Sequence, residues 1–156
     1  MIEINVPGRG ILCIKYLVLD YNGTIALDGD LAEHIKERIN LLAERLDVYI
    51  ITADTHGRCS KGCQGLSAKL HILSKPLGGP EKMDFVEQLG AVNVAAIGNG
   101  ANDALMLEKA GLGIAVIGSE GTAVKSVLAA DVVVTNIINA FDLLLKPKRL
   151  IATLRE

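Results

Sequence analysis

The stretch that most limits what this chain can become is Tyr16-Leu17-Val18-Leu19-Asp20-Tyr21-Asn22-Gly23-Thr24. A short, wholly apolar run that stops at turn residues reads as a strand buried on both faces, the pattern of a parallel sheet. Comparable runs recur over 47–52, 70–73, 92–97, 113–117 and 132–134. Between the run that ends at Asp20 and the one over 47–52, Leu31, Ile35, Ile39, Leu42 and Leu46 repeat at three- and four-residue intervals with charged residues among them, which makes an amphipathic helix. Further helices are expected over about 56–66, 81–89, 101–110, 122–129, 137–145 and 148–154, with Pro80 opening the second of these and Pro147 separating the last two. Strands that alternate with helices imply a parallel sheet with right-handed crossovers. The expected fold is therefore α/β, a three-layer Rossmann-like sheet.

Ahead of the central strand, 2–6 and 11–19 are strand-like runs joined by Pro7-Gly8-Arg9-Gly10, a hairpin leading into the sheet. The expected layout is one domain over 1–156, with a hairpin region at 1–15, a core at 16–141 and a C-terminal helix at 142–156.

The chain has 156 residues and a net charge of -2, which gives no electrostatic reason to expect nucleic acid or an anionic membrane as partner. Every apolar run is broken well before the roughly 18 residues that a membrane span requires. Residues 1–6 alternate apolar and polar and lack the basic region and long apolar core of a signal peptide, so a cytoplasmic location is expected. Three cysteines are too few, and odd in number, for a disulfide framework. His56, Cys59 and Cys63 share one helical face, but three ligands from one helix fit a closed tetrahedral metal site poorly, and a half-buried stripe is the reading taken.

In open α/β sheets the ligand crevice lies beyond the carboxyl ends of the strands, which places Asp20 where chemistry is done; a turn-capping carboxylate is the plainer alternative. Thr52-Ala53-Asp54 stands at the end of the next strand, where a hydroxyl beside a helix N-terminus suits a phosphate and equally suits a helix cap. Most lysines are simply solvated. Farther on, Ile97-Gly98-Asn99-Gly100-Ala101-Asn102-Asp103 ends another strand.

Taken together these motifs resemble the haloacid dehalogenase superfamily. Asp20-Tyr21-Asn22-Gly23-Thr24 resembles its first motif, Thr52-Ala53-Asp54 its second, and Gly98-Asn99-Gly100-Ala101-Asn102-Asp103 is similar to its Gly-Asp-Gly-x-Asn-Asp signature. The continuation through 111–116 and 129–134 resembles the phosphorylation domain of P-type ATPases, and among HAD groups the small soluble P-type ATPase-like proteins fit best. The likeness runs from about 16 to 141 and implies a Mg²⁺-dependent phosphohydrolase without a sizeable cap domain.

What the resemblance implies residue by residue is as follows. Asp20 is the nucleophile that forms an aspartyl-phosphate. Thr52, with Gly23, Ala53, Lys82 and Asn102, holds the phosphoryl oxygens. Lys82, in Gly79-Pro80-Glu81-Lys82, is the motif lysine, with Lys75 in reserve. Asp20, the carbonyl of Asn22, Asn99 and Asp103 hold the metal. Two residues depart from the pattern: Asn22 and Asn99 stand where carboxylates are usual. An amide at 22 cannot pass a proton, which forecasts slow hydrolysis, and an amide at 99 forecasts weak Mg²⁺ binding. The implied substrate is a phosphorylated small molecule or a bulky phospho-substrate, and the open site invites cover from a second copy of the chain. Two rivals remain: a P-type ATPase-like phosphotransferase with a long-lived phosphoenzyme, and a degenerate domain that binds a phospho-ligand or protein without chemistry.

Overall fold

The computed structural model describes residues 1–53, 58–74 and 77–156. Strands β1 (Ile2–Val6) and β2 (Gly10–Ile14) pair antiparallel as a separate hairpin. The remaining strands, β3 (Tyr16–Asp20), β4 (Asp47–Thr52), β5 (Lys69–Ile72), β6 (Val94–Gly98), β7 (Leu112–Val116) and β8 (Val132–Val134), form one six-stranded sheet of order β5-β4-β3-β6-β7-β8. All of its pairings are parallel. The connecting helices are α1 (Glu33–Ala43), α2 (Arg58–Gly62), α3 (Gly78–Gln88), α4 (Ala104–Lys109), α5 (Val124–Ala129), α6 (Ile137–Leu145) and α7 (Pro147–Leu154).

The apolar strands are buried on both faces because alternate side chains enter different cores. Leu17 and Leu19 of β3, Ile50 of β4, Ile97 of β6 and Ile114 of β7 join Ile39, Leu42, Phe141, Leu144 and Leu150 of α1, α6 and α7. Val18, Ile51, Ala96 and Ala115 face the other way, onto Val86 of α3 and Met106 and Leu107 of α4. This is the three-layer arrangement that the sequence pattern implies. Ile2, Ile4 and Ile14 of the hairpin extend the first core.

From β3 the chain winds outward first through β4 and β5, then returns to the other side of β3 for β6, β7 and β8. The crevice of such a sheet opens where that direction reverses, between the carboxyl ends of β3 and β6. Asp20 ends β3, and Asn99 follows β6 directly.

Several boundaries differ from the sequence reading for local reasons. The run 11–19 is two strands, because Lys15 crosses between the sheets: its N–H donates to Asn93 O at 2.9 Å and its carbonyl accepts from Asp47 N at 3.0 Å. Helix α3 starts at Gly78, ahead of Pro80, since the first helical turn has N–H groups to spare and tolerates a proline within it. Residues 101–103 form a 3-10 turn before α4. The two C-terminal helices are as expected, except that the bound at 142 falls inside α6 and Pro147 opens α7 instead of lying between the two.

Asp142 fastens three of these helices. Arg38 of α1 donates to its Oδ1 at 2.8 Å, and Lys146 and Arg149 donate to its Oδ2, each at 2.8 Å. The hydrogen bond from Lys146, with the surrounding positive charge, holds its carboxyl below the usual range. That contribution to stability is complete above pH 3.8 and is lost as pH falls through the depressed value.

Glycine is required where α4 lies on β7, because a side chain at Gly113 would meet the Leu107 carbonyl well inside contact distance. Gly113→Ala should cost about 1–3 kcal/mol of stability in urea unfolding, the usual penalty of overpacking. An unchanged unfolding midpoint would contradict this close approach.

Candidate active site

Strand β3 delivers Asp20 to the crevice, and a tight turn follows at once. Thr24, Ile25 and Ala26 donate their N–H groups to Tyr21 O at 3.3, 3.1 and 3.0 Å, and Gly23 N donates to Ala26 O at 2.9 Å. Gly23 has φ 77, and a Cβ there would stand 2.5 Å from Asn99 Nδ2, so both its backbone and its neighbour demand glycine. The fully buried Tyr21 donates its hydroxyl to Gly29 O at 3.1 Å and ties down the far end of the loop.

Across the crevice, α3 brings in Lys82, only 1% exposed. Its Nζ donates to Asp20 Oδ1 at 2.5 Å and to Asp103 Oδ1 at 2.6 Å. Gly79 lets α3 approach this closely, since a Cβ there would lie 3.3 Å from Asn102 O. The other oxygen of Asp103 accepts from Asn99 N at 2.9 Å and Gly100 N at 2.8 Å, which shapes the loop after β6. Gly98 leaves room for this, as its Cβ would be 2.5 Å from Asp103 Cγ.

Thr24 closes the arrangement. Its hydroxyl lies 2.9 Å from Asp20 Oδ2 and 2.9 Å from Asn99 Oδ1. One hydroxyl has one proton, so it can donate to only one of these oxygens at a time. Asn99 Nδ2 donates to Gly121 O at 3.0 Å, which turns its amide oxygen toward Thr24.

Burial, then the charge of Asp103, pushes Asp20 up to about 6, against the opposing effects of Lys82 and the Thr24 hydroxyl. Burial pulls Lys82 down, but Asp20 and Asp103 outweigh it and hold the ammonium above its ordinary range. Ionising Asp20 here costs about 3 kcal/mol more than in water. The folded state binds this proton more tightly than the unfolded one, so the contribution of Asp20 to stability is fully present below pH 3.8 and is lost as pH rises through about 6. A perturbed carboxylate in a crevice is a mark of a functional site.

Of the residues singled out from the sequence, Asp20, Lys82, Asn99 and Asp103 are in one hydrogen-bonded group. Asn99 joins it through Thr24, a residue of the first motif that sequence reasoning passed over as part of the turn. Asp103, expected with the metal ligands, gives one oxygen to Lys82 and the other to two amides. Thr52 is buried at the end of β4, one position beyond Ile51, the partner of Asp20 in the sheet. Gly23 is buried in the turn, whereas Asn22, Ala53 and Asn102 are exposed around the mouth. Cys59 and Cys63 are 3.6 Å apart, Cys59 within the core. Among the described residues no three His, Cys, Asp or Glu side chains cluster as a metal site. Asp54, His56 and Lys75 lie outside the described residues.

A family model of haloacid dehalogenase-like hydrolases matches residues 87–139, the segment that carries the Asn99–Asp103 loop. Over that third of its length the chain is similar to the haloacid dehalogenase-like (HAD) hydrolases. An uncharacterised protein of Methanocaldococcus jannaschii is 48% identical to this chain over 79 residues, 48% of this chain and 85% of that one. A second from the same organism is 54% identical over 39 residues, 25% of this chain and 89% of the other. Among solved structures, the cobalt-bound deoxy-D-mannose-octulosonate 8-phosphate phosphatase of Haemophilus influenzae superposes with a TM-score of 0.72 at 19% identity, over 87% of this chain and 90% of that one. The 3-deoxy-D-manno-octulosonate 8-phosphate phosphatase of Moraxella catarrhalis, solved with magnesium, phosphate and the sugar acid, gives 0.66 at 19% identity, over 91% and 94%. At these identities the likeness is one of fold. No helix among the described residues is long and apolar enough to cross a membrane.

Removing the ammonium would leave Asp20 and Asp103 facing each other without a counter-charge. Lys82→Met should lower stability by about 3–5 kcal/mol at pH 7. The deficit should shrink toward pH 5, because a protonated Asp20 needs no cation. Urea unfolding at both pH values checks this; equal losses at the two would show that Lys82 acts by packing alone.

Proposed function

We propose that this protein is a HAD-type phosphohydrolase acting through an aspartyl-phosphate on Asp20. The observation that supports this best is the buried Asp20–Lys82–Asp103 group at the point where the strand order reverses. On this reading an Asp20 oxygen attacks phosphorus, the bond to the leaving oxygen breaks, and that oxygen takes its proton from water. Water then attacks phosphorus, the Asp20–phosphoryl bond breaks, inorganic phosphate departs and a proton returns to solvent.

Lys82 offsets the negative charge of the phosphoryl group, and Thr52, Ala53, Gly23 and Asn102 supply its remaining contacts. Such sites work by positioning and charge stabilisation. The exposed amide of Asn22 cannot serve as acid or base, so both steps rely on solvent and turnover is slow.

The donor set fits a hard divalent cation loosely. Asp20 Oδ2 and Asn99 Oδ1 both face the Thr24 hydroxyl, whose proton can satisfy only one of them, and Mg²⁺ prefers such oxygens with one or two carboxylates. Those two oxygens, with the Asn22 carbonyl, would hold it; Asp103, already engaged, would support it from behind. When bound, Mg²⁺ supplies charge stabilisation to the phosphoryl oxygens. We further read residues 1–156 as one cytoplasmic domain without nucleic-acid or membrane partners, its open site covered by a second copy of the chain.

Asn22 favours one other outcome, a phosphoenzyme that persists. Intact-mass measurement after brief exposure to acetyl phosphate and Mg²⁺, quenched in acid, tests both. The natural protein should gain one phosphoryl group and Asp20→Asn none. Asn22→Asp should speed loss of the label by about 10²- to 10⁴-fold. No gain, with the acetyl phosphate unconsumed, would leave a binding domain without chemistry.

A further inference from the structure

Beside the nucleophile turn lies a cavity of about 230 Å³ that the motifs of the family do not describe. Thr24, Ile25 and Leu27 form one wall, and Ser119 and Glu120, on the turn after β7, form the other. The walls are pinned to each other. Glu120 Oε1 accepts from Asp28 N at 2.8 Å, and Asp28 is held there at φ 52, a conformation rare outside glycine. The turn is closed by Gly121 N donating to Gly118 O at 3.0 Å and anchored to the site by Asn99 Nδ2 on Gly121 O, also at 3.0 Å. Gly118 packs so near the nucleophile turn that its Cβ would lie 3.3 Å from Gly23 O.

The floor is apolar, from Ile35, Val116 and Ile137, while Thr135 and Asn136 add a hydroxyl and an amide to the rim. A cavity with an apolar floor and a few convergent polar groups is the usual form of a small-molecule site, and this one is smaller than a drug-sized pocket. Its charge is one-sided. Among the described residues that line it, Glu120 is the only ionisable side chain, and none is Lys or Arg.

We propose that this cavity is the subsite for the leaving group of the phosphorylated substrate, and that it takes a hydroxylated group that is neutral or carries an amine and rejects one that carries a carboxylate. This rests on the phosphohydrolase reading of Asp20. A carboxylate on the leaving group would enter beside Glu120 with no cation among the described lining residues to pair it, and like charges set side by side repel. Hydroxyls find Ser119, Thr135 and Asn136, and an ammonium finds Glu120. The selectivity thus differs from that of a site built for a sugar acid.

The test compares kcat/KM of the full chain with Mg²⁺ for three six-carbon phosphates: glucose 6-phosphate, glucosamine 6-phosphate and 6-phosphogluconate, with acetyl phosphate as the control for the chemistry. The neutral and amino sugars should exceed the sugar acid by at least about tenfold, the scale of 1.4 kcal/mol. Glu120→Gln should shrink that ratio, and Glu120→Lys should reverse it. Equal rates on all three, or a ratio indifferent to both variants, would overturn the subsite. Failure on acetyl phosphate would instead count against the phosphohydrolase. The cavity is then read directly, by methyl shifts of Ile25, Leu27 and Ile137 on titrating glucosamine against gluconate. Shifts with glucosamine alone support the assignment, and no shifts, or the same shifts with both, overturn it.

Discussion

One ammonium holds this site together. Lys82 Nζ sits between two buried carboxylates, within 2.6 Å of an oxygen of each. Neither Asp20 nor Asp103 could be kept so far from water without it, because an unpaired buried charge costs several kcal/mol. With Lys82 in place, Asp103 is free to use its second oxygen on the amides of Asn99 and Gly100, and so sets the loop after β6. The glycines follow from the same requirement. Gly79 brings α3 near enough for Lys82 to reach, and Gly98 leaves space for the Asp103 carboxyl.

The two asparagines have different consequences. Asn22 is exposed on the turn, and on the proposed reading its identity bears on proton transfer. Asn99 is part of the scaffold: its amide oxygen meets Thr24 and its nitrogen donates to Gly121. A carboxylate at 99 would have no proton for the Gly121 carbonyl. The amide at 99 therefore ties the turn after β3 to the turn after β7, and Asp20 and Asp103 are the carboxylates opposite Lys82.

Much of this was legible in the sequence because burial on both faces leaves wholly apolar strands with turn residues at their ends. β3, β4, β6 and β7 announce themselves that way, and with them the positions of Asp20, Thr52 and Asn99. The bound between hairpin and core at 15/16 was legible, but the run 11–19 reads as one strand, since apolar residues flank Lys15 and only the pairing partners split it into β2 and β3. Thr24 was hidden for a related reason: a threonine in a turn looks like any turn residue until Asn99, 75 positions away, is brought against it. The cavity under Glu120 needs the order of β3, β7 and β8 before its walls can be placed together, and no local pattern carries that order.

The account turns on Asp20 being a carboxylate kept out of water, opposed by Asp103 and only partly relieved by Lys82. Its titration by carboxyl carbon NMR in the metal-free protein, with Asp20→Asn to assign the signal, tests that directly. The account predicts a midpoint of about 6. A midpoint at or below the ordinary 3.8 would mean that the ammonium outweighs burial, and that Asp20 is held in a plain structural ion pair.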